Sequence, residues 1–140
     1  MIKYSRLPED ILSHFPEAYK YLHSRRDLLF AYLFGSLAKG KITPLSDVDI
    51  AVYLSAETKL FIRKIEILGE LTNILKTDEI DLVILNTAPI TLRMKILENK
   101  KVIVDKNSFL RYRYESLVMR EYFDFSVLER AMLEKRFLHG

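Results

Sequence analysis

FGSLAKGKITPLSDVDIAVYL, Phe34–Leu54, joins the end of one apolar run to an alternating run headed by two aspartates. Upstream, Leu28 to Phe34 is seven apolar residues ended by Gly35, the pattern of a strand covered on both faces. Downstream, Val48, Ile50, Val52 and Leu54 face one way along a second strand, while Asp47, Asp49, Ala51 and Tyr53 face the other. Residues i and i+2 project from one face, so the two aspartates point together with Cα atoms about 6.5 to 7 Å apart. At an effective dielectric of ~20, two carboxylates brought to 4 Å repel by roughly 4 kcal/mol, which a sheet core has to relieve.

Working outward, Pro8 to Ser24 carries Ile11, Leu12, Phe15, Ala18, Tyr19 and Leu22 at helical spacing, with Pro16 placed to kink or split the segment. From Glu57 to Leu75, Phe61, Ile65, Leu68, Leu71 and Leu75, widened by Leu60, Ile67 and Ile74, predict a helix with a broad buried face. A buried strand follows over Ile80 to Leu85, then a short helix over Ile90 to Asn99 started by Pro89, then a short strand over Lys101 to Asp105. Ser108 to Phe137 is helical in composition, and Ser126 with Glu129 matches a capping box, which predicts a second helix after Phe125. Helices interspersed with strands around one sheet define an α/β or α+β fold. No linker or repeat divides the 140 residues, so a single domain is expected over 1–140, with a C-terminal helical segment 108–137.

Composition narrows the chemistry. Half the residues are hydrophobic and 29% are charged, the balance of a compact globular chain. The absence of cysteine excludes disulfides, thiolate zinc sites and a nucleophilic Cys. A net charge of +3 with interspersed signs does not make a nucleic-acid stripe, so direct nucleic-acid binding is not expected. The amino-terminal stretch MIKYSRLPEDIL reads as neither a signal peptide nor a membrane span, which leads to an expectation of a cytoplasmic protein without a membrane partner. Glutamine is missing while Lys, Glu and Ile are plentiful, a bias found in heat-adapted proteins.

A cation between Asp47 and Asp49 reverses the sign of their interaction. Hard oxygen donors without His or Cys nearby favour Mg²⁺ or Mn²⁺, and Mg²⁺ commonly binds through one or two carboxylates plus substrate phosphates. Gly35 lets such a ligand approach the backbone, Ser36 adds a hydroxyl, and a turn of helix over Ser36 to Gly40 points further N–H groups the same way. Lys39 and Lys41 are near enough in sequence to add positive charge. In DEIDLVIL, the third carboxylate is best assigned to Asp81, ahead of Asp78 and Glu79, because it lies on the strand itself, on the face of Val83 and Leu85. Three such carboxylates can hold two metal ions for an in-line displacement at phosphorus, and Asp81 can help deprotonate the incoming hydroxyl. The competing reading of Asp-x-Asp alone is turn chemistry, with Ser46 or Asp47 capping the preceding loop.

The composite Gly-Ser, ten intervening residues, then Asp-x-Asp, read at Gly35, Ser36, Asp47 and Asp49, resembles the signature of the DNA polymerase beta-like nucleotidyltransferase superfamily. The likeness extends through IDLVILNTAPITLRMKILENKKVIVDKN and YFDF to the minimal nucleotidyltransferases, and within them to MntA-type antitoxins, partners of HEPN-domain HepT toxins. The resemblance implies a mixed sheet flanked by helices, ATP as substrate with Mg²⁺, and transfer of AMP with loss of pyrophosphate to a tyrosine of the toxin. It implies Asp47, Asp49 and Asp81 as catalytic metal ligands and Gly35 with Ser36 as the nucleotide-binding pair. Leu37 stands where many members have Arg, so one contact is missing or falls to Lys39.

Two other functions fit the same residues. A nucleotidyltransferase acting on a small molecule needs a dimer to build its acceptor pocket at this length, and a purely occluding antitoxin needs no catalysis. The assembly implied is a homodimer or a hetero-oligomer with the toxin. In the tail, Arg111, Arg113 and Arg120 alternate with aromatics; the expected arrangement packs Tyr114, Leu117, Val118 and Phe123 on the core while the arginines extend to solvent, ahead of a partner-docking surface or a base-stacking platform.

Overall fold

The computed structural model describes residues 7–43, 45–55 and 58–138. A 3₁₀ turn over Ile11–His14 leads into helix α1, Phe15–Ser24, with Pro16 in its first turn, where a missing N–H costs nothing. Pro16 therefore splits the expected single helix at its start. Strand β1, Leu28–Phe34, runs directly into a one-turn helix α2, Gly35–Ala38, and strand β2 covers Val48–Leu54. Helix α3, Leu60–Leu75, precedes β3, Ile80–Ile84; helix α4, Ile90–Glu98, precedes β4, Lys101–Asp105. Helix α5 occupies Ser108–Leu138.

The four strands form one mixed sheet in the order β3-β2-β1-β4, with β1 antiparallel to both β2 and β4 and β3 parallel to β2. Because β1 and β2 are central, both faces are covered, which explains their near-continuous apolar sequences. One face, with Leu33, Val48, Ile50 and Val52, packs on α1 and α3. The other, with Phe30, Tyr32 and Ala51, packs on Ile96 and Leu97 of α4 and Tyr114 and Val118 of α5.

Three helical expectations are corrected. In α3 the buried positions are Ile67, Leu71 and Leu75, whereas Phe61, Ile62 and Ile65 face solvent, Phe61 at 74% exposure. Apolar residues occupy two sides of this helix, and the sheet can cover only one; position 57, where the helix was expected to begin, lies outside the described residues. Helix α5 does not restart after Phe125: Ser126 Oγ donates to the Phe123 carbonyl at 2.9 Å, the back-bonding of a hydroxyl inside a helix rather than a cap. In its first turns Tyr114 and Val118 are buried as expected, but Leu117 and Phe123 are exposed, Phe123 at 65%. The 31-residue helix is ~46 Å long and outruns the sheet, so its second half has no core to pack on.

Arg111 also departs from expectation. It is buried, donating from Nε to Asp105 and from Nη1 to Glu115, both at 3.0 Å, while Tyr32 donates to Glu115 at 2.6 Å. Removing one member of such a buried set strands the others, at roughly 3 to 5 kcal/mol. This network fixes the start of α5 to β1 and β4.

A second ion cluster ties the opposite sheet face together. Asp27 accepts from Arg25 Nη2 at 2.8 Å and from Arg63 Nη1 of α3 at 2.7 Å. The Arg25 hydrogen bond, followed by that of Arg63, holds its carboxyl down to about 2 against the cost of burial. A depressed carboxylate contributes stability above its unfolded value and loses it as pH falls through the folded one. Urea unfolding is therefore expected to show up to about 2 kcal/mol lost between pH 4 and pH 2. That acid-dependent component should be missing in Asp27→Asn.

Among the described residues, no helix is long and apolar enough to cross a membrane.

Candidate active site

The strand register assembles the acidic edge. Asp49 on β2 is paired with Phe34 at the end of β1 on one side and with Asp81 on β3 on the other. Paired residues share a face, and hydrogen-bonded strands lie about 4.8 Å apart, so Asp49 and Asp81 stand side by side. Asp47 falls two residues before Asp49, immediately ahead of the first residue of β2. The parallel ladder begins there, with Val48 N donating to the Glu79 carbonyl at 3.0 Å.

Gly35 supplies the close approach at this edge. Its φ of +72° lies in the left-handed region, and a Cβ added there would collide with the Asp49 carboxylate at Oδ2. Only a glycine lets the chain turn from β1 into α2 while leaving room for that carboxylate. Ser36 is the next residue of α2, and its carbonyl accepts from Lys41 N at 2.9 Å, so the turn doubles back beside the acidic edge. Leu37 is buried in the core and anchors α2 from beneath, so its side chain is not available to a ligand; Lys39 is exposed.

The loop before β2 is held by Ser46. Thr43 N donates to Ser46 Oγ at 3.0 Å and Ser46 N returns to the Thr43 carbonyl at 3.0 Å. Ser46 thus closes this turn, as one of the two capping readings expected.

A cavity of about 300 Å³ opens between the starts of β2 and β3, lined by Asp47, Asp78, Glu79, Ile80 and Asp81. Asp78 and Glu79, ranked behind Asp81 from the sequence, line the same space; their adjacency in DEID was the only sequence signal of it. Among the described residues, no three His, Cys, Asp or Glu side chains are gathered around one point that could hold a cation. What the backbone brings together is the paired Asp49 and Asp81, with Asp47 at the cavity and Gly35 against Asp49. The donors are all carboxylate oxygens, the chemistry that suits a hard divalent ion, and Asp49 lies in a cradle only glycine permits.

Residues 17–109 match the family described as Polymerase beta, Nucleotidyltransferase, and the chain belongs to it. The mixed sheet and helices have that family's fold. Among curated relatives, MJ1547 of Methanocaldococcus jannaschii, provisionally named a protein adenylyltransferase, is 31% identical over 115 residues, covering 75% of this chain and 86% of that protein. Among solved structures, a chain of a toxin-antitoxin complex with AMP-PNP superposes with a TM-score of 0.71 at 21% identity, covering 88% of this chain and 95% of that one. A chain from the complex of tri-AMPylated Shewanella oneidensis HEPN toxin with MNT antitoxin gives 0.66 at 19%, covering 89% and 94%.

Proposed function

We propose that the protein is an antitoxin that transfers AMP from ATP to a tyrosine of a cognate HEPN-family ribonuclease toxin and thereby silences it. The observation that carries this reading is the register pairing of Asp49 with Asp81, with Gly35 packed against the Asp49 carboxylate at the same edge. The named relatives supply the acceptor class: one is provisionally a protein adenylyltransferase, and another accompanies an AMPylated HEPN toxin.

Asp47, Asp49 and Asp81 would hold Mg²⁺ or Mn²⁺, which when bound neutralises phosphate charge and stabilises the attacking and leaving oxygens. Gly35 and Ser36 would hold the nucleotide phosphates through backbone N–H groups and the Ser36 hydroxyl, and exposed Lys39 is the cation nearest in sequence to Leu37. Asp81, the more exposed of the register pair, accepts the proton of the incoming tyrosine hydroxyl. The tyrosine oxygen then forms a bond to the α-phosphorus, the bond from that phosphorus to the bridging oxygen breaks, and pyrophosphate leaves.

The outer half of α5 offers a surface on which a partner chain can dock. Phe125, Leu128, Met132 and Leu133 flank an open groove of about 470 Å³ on a helix that has left the core. Such exposed apolar surface on a soluble domain marks an interaction site.

The test is incubation of the purified chain with ATP, Mg²⁺ and the toxin encoded beside it, followed by intact-mass and peptide mass spectrometry. AMP is expected on toxin tyrosine, with Phe125→Glu plus Leu128→Glu abolishing both capture of the toxin and its labelling. Neutralisation that survives Asp47→Asn plus Asp49→Asn without any label on the toxin would replace this reading with occlusion. Label confined to a small hydroxylated compound would replace it with small-molecule transfer.

A further inference from the structure

Helix α3 carries an apolar surface that its own chain does not cover. Phe61 is 74% exposed, and Ile62 and Ile65 beside it are each more than half exposed. Residues three and four apart on a helix are neighbours, so these side chains form one patch outside the buried stripe of Ile67, Leu71 and Leu75. Contiguous exposed apolar side chains mark a contact surface.

Gly69 extends the patch by one turn. It follows Ile65 by four residues inside the helix, where glycine is the least favourable residue after proline. Among the described residues, no atom lies within 4 Å of a Cβ added there, so packing within the chain does not require glycine at this position. The missing side chain leaves a notch in an exposed apolar face, which admits the close approach of another molecule.

Charge identifies that molecule. Lys59, Arg63, Glu66 and Glu70, spaced by four, three and four residues, run along one flank of the patch, basic in its first half and acidic in its second. Arg63 and Glu66 also hold Asp27 and Arg25, while Lys59 and Glu70 at the two ends are exposed. In two antiparallel copies of α3 related by a two-fold axis, the same flank of each helix faces its counterpart. An axis passing between Lys64 and Ile65 sets Lys59 across from Glu70 and Arg63 across from Glu66. The same axis brings Phe61 and Ile62 of each copy between Ile65 and Gly69 of the other. A parallel pair turns each charged flank toward Leu68 and Thr72 instead and leaves Gly69 facing Gly69, so charge and shape both select the antiparallel arrangement.

We propose that α3 is a self-association surface on which a second copy of this chain docks antiparallel, with Phe61 and Ile62 seated at the Gly69 notch and Lys59 paired with Glu70 across the two-fold axis. Helix α3 lies on the sheet face opposite α4 and α5, so this dimer leaves the outer half of α5 open. A 16-residue helix is ~24 Å long, which places the contact at the small end of specific interfaces and its affinity in the micromolar range. The contact uses neither nucleotide nor toxin and stands independently of the transfer reaction.

The test is sedimentation equilibrium of the purified full chain alone, from about 1 to about 500 µM, across which the parent is expected to pass from monomer to dimer. Gly69→Leu fills the notch and should weaken the dimer at least about a hundredfold. At dilution its monomer should melt at the same or a higher temperature than the parent's, since leucine favours the helix and its Cβ meets no atom. Lys59→Glu should weaken the dimer about tenfold, and adding Glu70→Lys to it should restore the parental affinity, because the reversed charges pair again across the axis. A parent that stays monomeric throughout, a dimer indifferent to Gly69→Leu, or no rescue by the double reversal overturns the proposal. A dimer lost in Phe125→Glu plus Leu128→Glu but kept in Gly69→Leu moves the contact to α5 and overturns it as well. Toxin capture lost in Gly69→Leu from a monomeric parent assigns the surface to the toxin and overturns the second copy as its occupant.

Discussion

Gly35→Ala is expected to reduce AMP transfer by at least about a hundredfold, the penalty for displacing a catalytic group by roughly 1 Å. Two separate costs meet at this atom. A φ of +72° disfavours any Cβ by about 1 to 2 kcal/mol, and that Cβ would collide with Asp49 Oδ2. Relief requires rotating Asp49 away from the edge or shifting the turn between β1 and α2, and either change separates Gly35 and Ser36, the proposed nucleotide-binding pair, from the carboxylates. The variant should consequently lose stability along with activity, by roughly 1 to 3 kcal/mol in urea unfolding. Gly40→Ala is the matched control, because its φ is also positive at +73° but no atom lies within 4 Å of the added Cβ. It should show the backbone cost with most of its activity intact. Equal activity loss in both variants would mean that turn strain, rather than the approach to Asp49, matters at Gly35.

That contrast also shows what the sequence reveals and where it falls silent. The strands were legible because β1 and β2 are covered on both faces, and Asp47 and Asp49 broke that apolar pattern at one edge. Alternation placed Asp81 on the face of Val83, and the register then set it beside Asp49. Helix orientation was less legible. Helix α3 carries Phe61 and Ile65 as well as Ile67 and Leu71, and hydrophobicity alone does not say which side meets the sheet. Ser126 and Glu129 have capping-box spacing, but a hydroxyl can equally bond back to the preceding turn, as it does to Phe123. A cavity of about 400 Å³ lined by Tyr53, Leu85, Arg93 and Tyr114 left no motif at all, since it depends on β2, the segment after β3, α4 and α5 converging from distant parts of the chain.

Asp49→Asn and Asp81→Asn are expected to separate activity from stability, which Gly35→Ala cannot do. Both replacements preserve side-chain size while removing charge, and each should cost transfer about a hundred- to a thousandfold, the scale for losing one group that stabilises transition-state charge. The fold should respond in the opposite direction. Strands in register lie about 4.8 Å apart, and like charges at that spacing repel by up to roughly 3 kcal/mol at an effective dielectric of 20, part of which the exposure of Asp81 to water screens. Asp81→Asn should therefore melt at the same or a higher temperature than the parent chain in EDTA. Adding Mg²⁺ with a non-hydrolysable ATP analogue should raise the melting temperature of the parent, because a ligand bound to the folded state stabilises it by mass action. The variants should lose most of that rise. A variant that retained both transfer and the ligand-dependent rise would remove its aspartate from the proposed site. A variant that lost transfer but kept the full rise would restrict that aspartate to the chemical step, as expected if Asp81 mainly accepts the proton of the incoming hydroxyl.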